Sequence, residues 1–373
     1  MIKESYLTLF RRTFLLIPFV WVLAFTLHAN SQDPASSIKS EIARLQKSVN
    51  DNPVSDPNFA QVGDMVKASL QTSTNASKAG RLYLSLETLA QAEDLAGGAR
   101  AIVEKAPLVK SGLPAFESEW GTASLRLTAF DKEAHDRKWE NVPVAVRALA
   151  EAAQGRSIPL LEGARGFATA NGPGDGIFYM GEAEGEAQFA RFCAILNVSS
   201  SKRPFPLRSF LPELQDLQTK TNAAFQPPRS IELHSRFIAL NSTIKLAEEL
   251  DSTRFHAGAL YQYLEAVRHY GMLDMPPLDA GKQAKVKEAL DAAQKRLAAS
   301  PSDDSIAQLF IERAESQTSH ADGSAPTADE WRSAQVIFDQ ILPAYEAARR
   351  PASPLNTASG KTVEITLVRW PYT

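Results

Sequence analysis

The stretch ANGPGDGIFYMGEAEGEAQFARFC, residues 170–193, places three glycines within five residues, ahead of an apolar and aromatic run. Residues 171–174 predict the end of one helix and a turn, with Asp175 as the cap of the next helix. The run that follows has the small and large apolar residues of a helix that neighbouring helices approach closely. Working outward from this stretch, we expect helices on both sides of the turn.

The glycine-rich turn does not have the features of a phosphate-binding loop. No Lys-Ser or Lys-Thr pair follows its last glycine, so it is not a P-loop. It follows a predicted helix and not a strand, which excludes a dinucleotide-binding fingerprint. Pro173 also removes one of the backbone N–H donors that such a loop would use. We therefore interpret the stretch as a turn between helices.

Helical periodicity continues through most of the chain after residue 33, as in Ile38, Ile42, Leu45 and Val49. The N-cap candidates include Asn75, Ser252 and Thr327. The predicted fold class is all-α, with helical hairpins stacked as a solenoid or as paired bundles. Besides two segments before residue 71, the predicted helices are at about 77–96, 112–135, 142–154, 157–170, 175–197, 209–224, 230–250, 253–273, 279–299, 303–318 and 327–349.

The composition of two linking segments divides the chain. Residues 199–208 are rich in serine, proline and basic residues and have no helical period, so they separate an N-terminal helical array, 33–199, from a C-terminal array, 207–350. Residues 351–373 form a predicted extended tail, in which 361–373 alternates like a strand. The tail would bury its apolar residues in a helical groove, or alternatively pair with the sheet edge of another chain.

The N-terminus has the three parts of a secretory signal peptide. Lys3, Arg11 and Arg12 precede an apolar run, 13–27, and a small, polar cleavage region follows it. We therefore predict a signal peptide at about 1–29 and an exported, periplasmic or extracellular protein. The pattern RRTFL also resembles a twin-arginine signal, but the general secretory route is favoured. The apolar run is shorter than the roughly 20 residues of a spanning helix, so no stable membrane span is expected after cleavage.

Charge and cysteine content narrow the classes of function. The chain of 373 residues has 40 Lys and Arg against 43 Asp and Glu, a formal net charge of −3. It has no basic excess to neutralise phosphates, so we expect no nucleic-acid partner. Its one cysteine, Cys193, cannot form an internal disulfide and is flanked by apolar residues, which predicts a buried, inert thiol.

A short pattern recurs three times, with a glycine followed two residues later by Leu or Phe and three residues later by tyrosine. The copies begin at Gly80, Gly176 and Gly258, and their tyrosines are Tyr83, Tyr179 and Tyr261. Glu87 and Glu265 occupy matching later positions. A glycine at this place lets a neighbouring helix approach closely, so the recurrence indicates a repeat architecture in which each helix pair covers the next.

The middle copy, YMGEAEGEAQF at 179–189, resembles the first helix of a tetratricopeptide repeat. Tyr179, Met180, Gly181 and Ala183 match the aromatic, large apolar and small residues of that family. Residues 80–96 and 258–270 resemble it more weakly, and no regular 34-residue period is present. The resemblance implies a concave surface that binds peptides or protein segments, without catalysis.

Motifs for metals, cofactors and catalysis are missing from the sequence. No two histidines are three or four residues apart, so no helix offers a pair of metal ligands, and we assign no metal site, cofactor or catalytic residue. The acidic runs with Glu182, Glu184 and Glu186, and with Glu248 and Glu249, are typical of solvated helix faces.

Aromatic residues and an arginine provide the candidate binding site. Tyr179, Tyr261, Tyr263 and Arg268 have the composition of a protein-binding hot spot, although one of the tyrosine stripes would equally suit a helix core. We predict an exported helical-repeat protein that binds a protein or peptide partner in the cell envelope and is not catalytic. The alternatives are an all-α, hydrolase-like envelope enzyme with carboxylates in its helical array, and a structural envelope protein.

Overall fold

The computed structural model describes residues 33–54, 56–273, 280–320 and 322–350. The predicted signal peptide, 1–29, and the predicted tail, 351–373, lie outside these ranges. The first eight helices are α1 Pro34–Asp51, α2 Val62–Lys78, α3 Leu82–Glu104, α4 Ala106–Ser111, α5 Leu113–Asp136, α6 Val144–Asn171, α7 Pro173–Ile195 and α8 Leu211–Ala224. The others are α9 Arg229–Glu232, α10 His234–Ser252, α11 His256–Gly271, α12 Ala280–Ala299, α13 Ser305–Thr318, α14 Ala328–Val336 and α15 Leu342–Ala348. Among the residues so described, no helix is both long and apolar enough to cross a lipid bilayer.

The all-α prediction is confirmed, because these ranges contain packed helices and no β-strand. A short 3₁₀ helix, Pro57–Phe59, precedes α2, and a π-helical segment, Ile337–Ile341, joins α14 to α15. The predicted break at 154–157 is wrong, since α6 continues through it and through Pro159. Gly155 packs directly against the side chain of Leu250, so tertiary contacts hold the helix together at this point.

The turn at 170–176 ends one helix and begins the next, as expected, but α7 starts two residues earlier than predicted. Gly172 ends α6 with a φ of 113°, a conformation that only glycine adopts readily. Pro173 then occupies the first helical position, where its missing N–H costs nothing. Asp175 is therefore not the cap but a first-turn residue, and it accepts a hydrogen bond of 2.8 Å from Asn171.

Three hairpins of consecutive helices form the centre of the molecule: α2–α3, α6–α7 and α10–α11. Helix α7 packs on both α6 and α3, α11 packs on α6, and α13 packs across α3 and α6. The helices of the recurring glycine–tyrosine pattern are α3, α7 and α11, each the second helix of its hairpin. Elements on both sides of 199–208, which contains no helix, thus pack on one another; the division into arrays 33–199 and 207–350 stays a prediction.

Close approach at the recurring glycines is confirmed at two of three positions. A Cβ at Gly176 would lie 2.5 Å from the Cβ of Ala168, and one at Gly258 would lie 2.9 Å from the Cβ of Glu151. Gly80 is instead a turn residue with a φ of 74° and open space around it. Gly181 also lies at a close contact, since a Cβ there would lie 2.5 Å from the carbonyl oxygen of Gly97, so α3 and α7 pack backbone to backbone.

Several helices have their N-termini capped by carboxyl groups from distant parts of the chain. The first turns of α3, α6 and α11 have no local side-chain cap. Their orphan amides pair instead with buried acids, which is favourable at the positive end of the helix dipole. The pairs are Leu84 N to Glu312 at 2.9 Å, Val144 N to Asp303 at 2.7 Å and Gly258 N to Glu151 at 2.9 Å. These bonds fix the register between helices that are far apart in sequence.

Candidate functional site

Two adjoining cavities lie where α3, α6, α7, α10 and α11 meet. The outer cavity has a volume of about 410 Å³ and apolar walls that include Leu160, Phe167 and Leu246. The inner cavity, of about 170 Å³, is lined at its deep end by Glu87 and Tyr261. The two cavities share three lining residues, Asp94, Arg156 and Glu186.

The partly exposed Arg156 and the buried Glu186 form an ion pair at this junction. The two guanidinium nitrogens Nε and Nη2 both donate to the carboxylate, with Nη2 at 2.8 Å from Oε2. Glu186 is 1% exposed, and burial raises its pKa although Arg156 opposes the shift. A bidentate pair of this kind has a fixed geometry, so it forms a rigid floor between the two cavities.

Two further carboxyl groups, Asp94 and Glu182, lie near this pair; the charge of Arg156 acts on Asp94 but makes no ion pair with it. Burial, and then the charges of Glu186 and Glu182, raise the pKa of Asp94 to about 9, and its Oδ1 is buried without a hydrogen-bond partner in the described chain. Glu182 is 7% exposed and has no hydrogen bond or ion pair with any described residue. Burial, followed by the charge of Glu186, raises its pKa to about 7. We call Asp94, Arg156, Glu182 and Glu186 the acid cluster.

The interpretation of residues 182–186 as a solvated helix face is wrong for Glu182 and Glu186. Helix α7 is covered by α3, α5 and α6 on most of its circumference, so its acidic residues face other helices. Tyr179, Glu182 and Glu186 follow one another at helical spacing on the side of α7 that faces Phe167 and Arg156. Glu184 alone lies toward solvent, where it pairs with Arg126.

A second ionic network closes the deep end of the inner cavity. The Tyr261 hydroxyl donates to Glu87 at 2.6 Å, and Arg313 bridges the carboxylates of Glu87 and Glu265, the latter at 2.6 Å. Arg268 donates to Glu265 at 2.9 Å. Burial acts to raise the pKa of Glu265, but the two arginines outweigh it and hold the pKa at about 2. This network is internally satisfied, unlike the acid cluster.

The structure places the four predicted binding residues in three different surroundings. Tyr261 and Arg268 belong to one network, joined through Glu265 and Arg313. Tyr179 is half-buried and stacks on Phe167, a wall residue of the outer cavity, with ring centroids 4.0 Å apart. Tyr263 is 9% exposed, and burial, with the charges of Glu213 and Asp216, raises its pKa to about 12. The partner-binding role of these four residues stays a prediction.

Sequence reasoning missed Asp94 and Arg156. Arg156 finds its partner 30 residues away, and Asp94 meets the other members only because α3 packs on α7. The available signal was the presence of charged residues inside an alanine-rich, otherwise apolar helix, as in LETLAQAEDLAGGA at 86–99. Such residues are buried with the helix and need partners.

Neither a metal-binding pattern nor a similar protein indicates what this site binds. Within the described ranges, no group of three or more His, Cys, Asp or Glu side chains is placed to hold a metal ion. Comparisons of the chain with protein families, with curated proteins and with solved structures found no match. The packed helix pairs are compatible with a helical-repeat fold, and the tetratricopeptide-like relationship stays a prediction.

Proposed function

We propose that this chain is an exported helical-repeat protein that binds a protein or peptide segment in the cell envelope, without catalysis. The observation that supports this proposal best is the outer cavity, a cleft with apolar walls whose floor includes Asp94, Arg156 and Glu186. Binding clefts in proteins combine an apolar lining with a few charged groups that orient the ligand. The segment would lie across α6 and α10 and direct one side chain inward.

The likeness to tetratricopeptide repeats supports the same class of function. Helical-repeat proteins bind extended segments on surfaces built by successive helices. Here the outer cavity is formed by residues of all three central hairpins, with Asp94 on α3, Phe167 on α6 and Leu246 on α10. A repeat architecture would explain why the glycine–tyrosine helices lie around one cleft.

In this proposal the four candidate residues have distinct roles. Tyr179 supports the cavity wall through its stacking on Phe167. Tyr261 and Arg268 position the network behind the inner cavity, and Tyr263 stabilises the packing of α11. Contact with the partner would therefore involve Tyr179 more directly than the other three.

Site-specific cross-linking in cells tests the binding proposal. A photoreactive phenylalanine analogue would replace Phe167 on the cavity wall, which is 39% exposed, or Phe225, which is 43% exposed and lies outside both cavities. We expect a defined protein adduct from position 167 and none from position 225. Equal adducts from both positions, or none from either in a folded and exported chain, would contradict the proposal.

Export is tested separately. The chain would be isolated from the envelope fraction of expressing bacteria and its N-terminal peptide identified by mass spectrometry. We expect a mature N-terminus close to residue 30, as signal-peptide cleavage requires. A chain that stays in the cytoplasm with residues 1–29 attached would contradict the location but not the binding cleft.

A second candidate function is the all-α envelope enzyme, hydrolase-like, with carboxylates in its array. The specific observation in its favour is that the carboxyl groups of Asp94 and Glu186 line both cavities, and that burial raises the pKa of both groups, that of Asp94 to about 9. A protonated and an ionisable carboxyl side by side can act as acid and base. Mass spectrometry of the cross-linked segment after incubation decides between the two: cleavage that Asp94→Asn abolishes supports the enzyme, and intact peptide supports binding.

A further inference from the structure

We infer that residues 361–368, which lie outside the described ranges, dock in a groove between α12 and α15, with Val363, Ile365 and Leu367 facing its floor. The inference is independent of the binding cleft, since this groove shares no residue with the outer or the inner cavity. It rests on the lining of the groove, on the point at which the described chain ends, and on the alternation of apolar residues in the segment.

The α12–α15 groove is an apolar depression with a volume of about 320 Å³. Its lining residues are Ala289, Ala292, Ala293 and Arg296 on α12, Phe338 on the π-helical segment, and Leu342, Pro343 and Glu346 on α15. Because the alanines of α12 offer only methyl groups, the two sides of the groove do not close on each other. A cavity of roughly 150 Å³ accepts a benzene-sized group, so this groove has room for roughly two large aliphatic side chains.

Helix α12 is poorly covered by the rest of the described chain. The helix is 20 residues long, yet within 281–299 only Val286 and Ala293 are less than a tenth exposed. A surface helix typically buries about three or four apolar residues in every two turns. Ala292, on the floor of the groove, is exposed. A segment that docks in the groove would supply the cover that α12 lacks.

The described chain ends beside this groove. Glu346, which lines the groove, precedes Arg350 by one helical turn, about 6 Å. The side chain of Arg349 lies 3.9 Å from Glu346, and the carbonyl of Arg350 accepts a 3.3 Å hydrogen bond from Arg208. Residues 351–360, at about 3.3 Å each when extended, span about 33 Å. They are therefore long enough to return the following segment to the groove.

The sequence KTVEITLV, residues 361–368, suits an apolar floor. Val363, Ile365 and Leu367 alternate with Thr362, Glu364 and Thr366, so an extended segment has its aliphatic side chains on one face. The ranges that the structure describes contain no β-strand with which this segment could pair, so a groove between helices is the apolar surface available to it. The two charged lining residues, Arg296 and Glu346, lie 3.4 Å apart and neutralise each other.

Disulfide trapping in the full mature chain tests this docking. Cys193→Ser removes the buried native thiol, and Ala292→Cys places a thiol on the floor of the groove. A second cysteine then replaces, one chain at a time, each residue from 362 to 367. Mild oxidation should join position 292 to 363, 365 or 367 within one chain, since a disulfide needs β-carbons about 4 Å apart. Positions 362, 364 and 366 should not be joined. Ala284→Cys, exposed on the same helix outside the groove, is the matched control and should join none of them.

A labelling measurement tests the same contact without a second cysteine. The thiol at position 292 should react with a maleimide at least about tenfold more slowly than the thiol at position 284, because it is exposed only when the segment leaves the groove. Replacing Ile365 and Leu367 together by serine should bring the two rates together. The same change at Glu364 and Thr366, on the opposite face, should leave position 292 protected.

Each outcome decides for or against the inference. Trapping confined to 363, 365 and 367 at the mass of one chain, with slow labelling at position 292, supports it. Equal trapping from both faces, no trapping at all, or labelling at 292 as fast as at 284 overturns it. Disulfide-linked dimers in place of single chains would show that a second copy supplies the segment, and docking within one chain is then wrong. None of these results bears on the binding cleft, which cross-linking at position 167 tests separately.

Discussion

The hydroxyl of Tyr261 on α11 donates a 2.6 Å hydrogen bond to Glu87 on α3, across 174 residues of sequence. Arg313 on α13 contacts the same carboxylate and extends the network to Glu265. Three helices from distant parts of the chain are therefore joined by one buried ionic network. Because a buried carboxylate without a cation is costly, the arginine is the member on which the others depend.

Replacing Arg313 with methionine should lower the free energy of unfolding strongly. The substitution keeps an unbranched apolar stem but leaves Glu87 and Glu265 without their shared cation. Breaking a buried pair in this way costs about 3–5 kcal/mol. The measurement is urea unfolding followed by circular dichroism.

Two control variants define the scale of that loss. Tyr261→Phe removes only the hydroxyl donor and should cost about 1–2 kcal/mol. Arg296→Met removes an exposed pair with Glu346, whose side chains are 52% and 39% exposed, and should cost less than about 1 kcal/mol. If Arg313→Met were as stable as Arg296→Met, the network would not hold the three helices together.

The glycine contact between α3 and α7 predicts an unusual effect of alanine. Gly181→Ala should destabilise the protein by about 1–3 kcal/mol, although alanine is the better helix former, because its Cβ would meet the backbone of Gly97. Neither partner in this contact is a flexible side chain that could move aside.

Gly166→Ala on α6 is the matched control, since no atom lies within 4 Å of the added Cβ. There the helix propensity of alanine should raise stability by about 0.5–1 kcal/mol. Equal effects of the two substitutions in thermal unfolding would show that α3 and α7 do not pack backbone to backbone.

Cys193 should react with thiol reagents only when the protein unfolds. The side chain is 1% exposed, which confirms the burial predicted from its apolar neighbours, and burial raises its pKa well above the usual range. We expect no labelling by a maleimide in the native protein over minutes and rapid labelling in urea. A Cys193→Ser, Ile195→Cys chain, with the thiol at a position that is 81% exposed, should label at once. Fast labelling of native Cys193 would place it in an open segment.

Local patterns in the sequence were sufficient to predict most helices. Thr327 shows why: the structure confirms it as an N-cap, and its capping partner Glu330 lies only three residues away. Ser252 and Asn75 are wrong as N-caps, because Ser252 ends α10 and Asn75 lies inside α2. The amide of Gly258, at the start of α11, is capped by Glu151, which is 107 residues away. No local pattern contains that partner.

The candidate site shows more clearly that local patterns do not reveal partners that are distant in sequence. The glycines and tyrosines of the recurring pattern mark the helices that surround the cavities, and these were found in the sequence. The acid cluster was not, because Asp94, Arg156 and Glu186 meet through the order in which α3, α6 and α7 pack. Helix periodicity indicates which face is buried but not which helix covers it.

The buried carboxyl groups predict that the protein loses stability as the pH rises above neutrality. Burial, and to a smaller extent nearby acids, raise the pKa of Asp94 to about 9, Glu93 to about 8, and Glu182 and Glu312 to about 7. A carboxyl group whose pKa is higher in the folded state stabilises the folded protein, and this contribution is complete at pH values below its pKa in the unfolded chain, near 4. That stability is lost as the pH rises through the folded value. Glu265, with its lowered pKa, changes stability only below about pH 4.5.

Urea unfolding at pH 6.5 and pH 9 tests whether the free energy of unfolding falls as the pH rises. In this range the folded His269 stays neutral, because burial and the charge of Arg268 lower its pKa, and the remaining protonation of His269 in the unfolded chain is the same in the unmodified chain and in the variant. Glu93, which is 1% exposed, should alone account for a loss on the order of 2 kcal/mol between the two pH values. Glu93→Gln keeps the shape and the pairing of Arg44 with Glu41 but cannot ionise, so its loss should be smaller by that amount. A variant with the same pH dependence as the unmodified chain would mean that Glu93 is already ionised at pH 6.5.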